Sequence, residues 1–221
     1  MKKIHILCEG QTEESFVNNI LQPYFVNLDI DVTPSILKTG RGDVRFYRGG
    51  VSSYTAIKSE LLRISSNPNV FVTTMFDYYA MPNDTPWIKH QDVDLYKKIE
   101  TIENAITADI GRTNVFFNFM VHEIEGLWFS DVSGFYAITE REMYIRQLQE
   151  IRASAETPEH INNSPNTAPS KRIISVLGSF QKPRQGMLVA KRIGIDKMIS
   201  ECKHFADWIE KIKVFSRVSG S

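Results

Sequence analysis

The chain has 221 residues, of which 42% are hydrophobic, and its 26 Lys+Arg balance its 26 Asp+Glu. That apolar content builds one sizeable domain, or a domain with a small appendage, and excludes disorder throughout. Zero net charge excludes a generally basic nucleic-acid binder but leaves room for a local phosphate-binding cluster.

Residues 3–8 form a short apolar run containing Ile4, Ile6 and Leu7. Such a run suits a strand covered on both faces, as in a parallel sheet. It is too short for a signal-peptide core and stops at Glu9, and no later stretch approaches the roughly 20 apolar residues of a membrane span. Cys8 reads as a small buried hydrophobe. Cys202 stands far away in sequence, so the two form no disulfide framework or zinc cluster, and a cytoplasmic protein is expected. A helix follows over residues 12–21, with Thr12 as N-cap, Glu13 and Glu14 at the positive end of its dipole, and Pro23 helping to stop it. A strand is expected near residues 30–37 and a Gly/Arg-rich loop over 38–50. The next helix is expected over 52–65, with Tyr54, Ile57, Leu61 and Ile64 in phase. Residues 70–76 read as a strand, 77–90 as a loop, 92–110 as a helix and 115–121 as a strand. This alternation predicts an α/β core over residues 1–131 with a mostly parallel sheet. Residues 132–221 read as a helical C-terminal extension packed on that core, with helices over 139–153, 170–177 and 205–212. Thr139 and Glu142 have the spacing of a capping box.

Acidic residues recur just after the predicted strands. Glu9 follows the first and Glu13 stands one helical turn on; Asp77 follows the strand at 70–76, and Glu123 and Glu125 follow that at 115–121. In a parallel sheet the C-terminal strand ends share one edge, where ligands bind. Carboxylates gathered there repel one another unless a cation neutralises them. Oxygen ligands suit Mg²⁺ or Mn²⁺, and paired ions of this kind drive phosphodiester hydrolysis.

The segment Cys8-Glu9-Gly10-Gln11-Thr12-Glu13 resembles the first motif of Toprim domains, in the EGxTE form of the OLD-family nucleases. Thr74-Met75-Phe76-Asp77 stands where Toprim domains carry DxD. Wider stretches, among them CEGQTEESFV, RGGVSSYTAIKSELLR, HEIEGLWFSD, SPNTAPSKR and CKHFADWI, resemble the uncharacterised bacterial Toprim-like family DUF4276 across nearly the whole chain. The resemblance implies a Toprim-like fold, with Glu9 as general base or metal ligand, Glu13 as a second acid and Asp77 as a ligand. The second aspartate of DxD is replaced by Tyr79. Either Glu123 or Glu125 supplies the missing ligand, or Tyr79 hydrogen-bonds a phosphate; the sequence leaves both open.

His122-Glu123-Ile124-Glu125 is not HExxH, so a zinc-protease reading fails, and His122 reads as structural, or as a catalytic or phosphate-contacting group. Arg41, Arg45 and Arg48 lie in the most basic segment, between glycines that let a backbone come close. They are candidate phosphate contacts or a solvated loop; no GxxxxGK[ST] loop is present. Lys171, Arg172, Lys182, Arg184, Lys191 and Arg192 read as a mixed helical surface. Trp87 and Trp128 flank the acidic positions and read as base-stacking rings or, the favoured assignment, as core packing.

The resulting expectation is a metal-dependent nuclease, or a nuclease-like subunit, acting on nucleic-acid phosphodiesters. The catalytic set is Glu9, Glu13, Asp77 and Glu123, and the metal set is Glu9, Asp77, Glu123 and Glu125. OLD-type domains are linked to ATPases and this chain carries no ATPase motif, so a separate ATPase partner is implied. The rivals are a non-catalytic interaction module and a small-molecule phosphoester hydrolase or transferase.

Overall fold

The computed structural model describes residues 1–37, 53–162 and 167–218. Four parallel strands form its sheet in the order β2-β1-β3-β4: β1 is Lys2–Cys8, β2 is Ile30–Ile36, β3 is Val70–Asp77 and β4 is Phe119–Met120. The fold is α/β, as the alternation of elements predicts.

Both faces of the sheet are covered, which explains why its strands are apolar on both sides. On one face Leu7, Val72 and Phe76 pack with α3 (Tyr54–Ile64) and α4 (Leu95–Ile110). On the other, Ile4, Ile6, Cys8 and Met75 share a cluster with the helical segment after β1 and with residues of the C-terminal helices. Those helices are α5 (Glu142–Ala153), α6 (Pro169–Leu177), α7 (Met187–Ile193), α8 (Ile195–Glu201) and α9 (Lys203–Val218). From α9, Phe205, Trp208, Ile209 and Ile212 are buried as one stripe, and the Trp208 indole donates to Thr73 Oγ1 at 3.0 Å.

Several local expectations need correction. The first helical segment is α1 (Gln11–Phe16), a π-helical stretch Val17–Leu21, then α2 (Gln22–Val26), so Pro23 does not stop it. The wider π turn eases the clash between a proline ring and the preceding turn, and Pro23 falls at the start of α2, where a missing N–H costs least. Gly10, not Thr12, is the N-cap, and the Glu13 carboxylate turns back to accept the Gly10 N–H at 2.9 Å. The Thr139–Glu142 capping box is absent: Arg141 caps α5, while the Glu142 carboxylate accepts the Tyr136 hydroxyl. The strand expected over 115–121 shrinks to β4 plus one bridge, Val72 with Val115. The intervening main chain is bonded by side chains instead: Thr107 Oγ1 accepts the Phe117 N–H, Thr74 Oγ1 that of Asn118, and Glu103 Oε1 that of Phe119.

Candidate metal centre

The parallel register sets the site. Cys8 pairs with Met75, and Asp77 pairs with Met120, so β1, β3 and β4 end along one edge. Glu9 continues the ladder by one bond, its N–H donating to the Met75 carbonyl at 3.1 Å. Its Oε2 then accepts the Asp77 N–H at 3.2 Å. Beyond β4 the chain reverses at His122, whose φ of 64° lies in the left-handed region that non-glycine residues rarely adopt. The 3₁₀ turn Ile124–Ser130 starts immediately after, and Asp77 Oδ1 accepts the Ile124 N–H at 3.1 Å.

That reversal brings the acids together. Ligand oxygens of Asp77, Glu123 and Glu125 all lie within 4.8 Å of one another. Such a set can hold a metal ion, because hard oxygen donors at this spacing converge on one cation. Glu9, the fourth member of the expected metal set, stands beside this trio with its carboxylate against the Asp77 main chain. Glu13 is buried one turn away, engaged with the Gly10 N–H.

Sequence reasoning missed two partners, both from the C-terminal segment. Lys182, read as part of a mixed helical surface, reaches the site. Its Nζ lies 2.7 Å from Glu125 Oε1 and 3.6 Å from Glu123 Oε1. Ser170 clamps Glu123, its N–H donating to Oε2 at 2.9 Å and its hydroxyl to Oε1 at 3.0 Å. Nothing in the local pattern around Lys-Pro-Arg-Gln-Gly marks Lys182 out; only the docking of residues 182–186 under Trp128 places it. Gly186 allows that docking, since a Cβ there would fall inside the Trp128 ring.

The electrostatics follow from burial. Glu125 is fully buried, and desolvation pushes its carboxyl up to about 7 against the pull of Lys182. Its Oε2 accepts no well-formed hydrogen bond among the described residues. Burial also holds Asp77 well above the usual carboxylate range, reinforced by the charges of Glu125, Glu13, Glu9 and Glu123. Burial raises Glu9 and Glu13 too, offset in part by the Asp77 N–H on the first and by main-chain N–H groups on the second. Burial alone would depress the Lys182 ammonium; Glu125 and Glu123 outweigh it and raise the group. His122 is pushed down to about 4, chiefly by burial, so its imidazole is neutral at pH 7.

The remaining predicted positions divide. Arg41, Arg45 and Arg48 lie outside the described residues. Trp128 is buried core, as expected, whereas Trp87 is 63% exposed and takes no part in the core. Tyr79 stacks on His122 rather than joining the acids.

The family profile described as "Domain of unknown function (DUF4276)" matches residues 8–213. The chain belongs to the DUF4276 family. Its matched span runs from the residue before Glu9 to the last turns of α9, and so includes the acidic edge, Ser170 and Lys182. No curated protein and no solved structure matches this DUF4276 chain. Among its described residues no helix is long and apolar enough to cross a membrane.

Proposed function

We propose that this chain is a metal-dependent phosphodiesterase acting on nucleic acid, as a nuclease or as the nuclease-like subunit of a system whose ATPase is a separate chain. The observation that carries the reading is the convergence of Asp77, Glu123 and Glu125 at the C-terminal edge of a parallel sheet. The Toprim-like form of residues 8–13 supports it. Asp77, Glu123 and Glu125 are assigned as ligands of Mg²⁺ or Mn²⁺, which would supply charge neutralisation and an activated water. Glu9, beside the trio with a raised pKa, is assigned as the base that takes the proton of that water. Glu13 holds the Gly10 turn that aims Glu9. Lys182 is the one ammonium seen at the carboxylates among the described residues, and it is assigned to the developing phosphate charge. Arg41, Arg45 and Arg48 remain candidate backbone contacts. Both cysteines are free and buried, which fits a cytoplasmic setting.

The test is cleavage of labelled DNA and RNA with Mg²⁺ or Mn²⁺, with any ATPase encoded alongside included. Glu9→Gln and Asp77→Asn should each abolish cleavage, because an amide is a far poorer base and a neutral ligand. Undiminished cleavage by both variants would sink the assignment. Cleavage of small phosphoesters alone would move the substrate class. One observation favours a second reading: Lys182 already neutralises part of the cluster. If no divalent ion supports cleavage, Lys182 is the permanent counter-ion and the chain is an interaction module.

A further inference from the structure

The position where the Toprim pattern would place a second acid carries an aromatic ring held open to solvent. Tyr79 is 45% exposed although it follows a buried strand by two residues. Its neighbour Tyr78 turns inward, edge-on to Phe119 at 5.5 Å and beneath the Lys98 ammonium. Tyr79 turns outward, and one face of its ring is stacked on the His122 imidazole, centroids 5.0 Å apart and planes 18° apart. The ring is therefore held at one face, while a large part of the residue faces solvent. The imidazole beneath it is itself held by the strained backbone at His122, whose Nδ1 is buried without a hydrogen-bond partner among the described residues. Strained backbone of this kind persists where the surrounding structure over-determines it, and it concentrates at functional sites. Tyr79 is two residues from Asp77 and His122 is next to Glu123, and the Glu123 charge acts on both rings.

We propose that the open part of the Tyr79 ring is a stacking platform for an unpaired nucleobase of the strand whose phosphate meets the carboxylates. The proposal rests on the phosphodiesterase reading and deepens it by naming single-stranded or flipped-out nucleotides as the substrate class. A base inside a duplex has both faces covered by its neighbours; only an unpaired one offers a face to a protein ring. An exposed aromatic ring that is already immobilised loses little entropy on stacking, and such contacts accept any base because every base has a π face.

The test is oligonucleotide binding by fluorescence anisotropy, with Ca²⁺ replacing Mg²⁺ to slow cleavage. It compares the wild type, Tyr79→Phe and Tyr79→Ala on a single strand, the matching duplex and single strands carrying one abasic position. The wild type and Tyr79→Phe should bind the single strand more tightly than the duplex. Tyr79→Ala should lose at least about fivefold on the single strand, the lower end of what one stacked base contributes. An abasic position should weaken the wild type and leave Tyr79→Ala unchanged. The platform is overturned if Tyr79→Ala binds like the wild type, if the duplex binds as well as the single strand, or if the wild type binds neither. Melting with Mn²⁺ alone separates the two ideas. A wild type with no Mn²⁺ shift sinks the divalent-ion reading, and the binding comparison still decides the platform.

Discussion

Glu125 is the most deeply buried of the acids at the sheet edge. Its place after a strand marks it as a candidate ligand at the sheet edge; the fold buries it fully, with Lys182 as its counter-ion. Its folded pKa of about 7 against an ordinary 4.5 fixes a pH dependence. The folded state binds the proton more tightly than the unfolded chain does. The stabilisation is therefore complete below about pH 4.5 and is lost as pH rises towards 7, on the order of 3 kcal/mol for this group alone. The raised Glu9, Glu13 and Asp77 act in the same direction. Urea midpoints in metal-free buffer should fall from pH 5 to pH 7.5, and Glu125→Gln should flatten that decline; an unchanged slope in the variant would contradict the assignment.

At the scale of elements, the helices that deliver Lys182 and close the sheet are held by single contacts that can be tested. The Glu159 carboxylate is buried and accepts the first main-chain N–H groups of α9, from His204 and Phe205, each at 3.0 Å. It also accepts the Tyr96 hydroxyl at 3.1 Å. Glu159→Ala leaves these donors without their acceptor and should lower stability by about 2–4 kcal/mol, with Glu159→Gln recovering part of it, read by urea unfolding. A second contact is the docking of Gly186 against Trp128. Gly186→Ala drives a Cβ into a buried ring that Phe180 backs at 5.3 Å, so the ring has little room to yield. A loss of about 1–3 kcal/mol is expected from overpacking, together with displacement of Lys182 from the carboxylates; wild-type stability in this variant would show that the turn relaxes freely. The elements themselves were legible where they are long and periodic, as in α3, α4 and β1. They were misjudged where a local signal met tertiary packing. Pro23 lies inside a continuing helix because of the π turn before it, and β4 is cut short because Thr107, Thr74 and Glu103 side chains take over its hydrogen bonds.

Across the whole molecule, the acidic edge draws on distant parts of the chain: β1, β3, the turn after β4, the start of α6 and the segment at 182–186. Binding of a divalent ion there should stabilise the whole fold, because an ion that binds only the folded state adds RT ln(1 + [L]/Kd). Millimolar Mn²⁺ should raise the melting temperature by several degrees, since about 1 kcal/mol is worth roughly 2–4 °C in a chain of this size. The shift should vanish in an Asp77→Asn, Glu125→Gln double variant. An equal shift in that variant would place the ion elsewhere.

The sequence by itself determined the α/β class, the strands β1 to β3 and the shared edge of Glu9, Asp77, Glu123 and Glu125. These follow from short-range pattern: apolar runs bounded by acids, with parallel strands forcing their ends to one side. Only the tertiary structure decided which acids converge, that Glu9 stands against the Asp77 main chain, and that Lys182 and Ser170 contact Glu125 and Glu123. It also decided that Tyr79 keeps its ring open to solvent. The reason is physical. Local periodicity records which face of an element is apolar, whereas an ion pair between positions 125 and 182 depends on how two elements dock, and docking leaves no periodic trace in the chain.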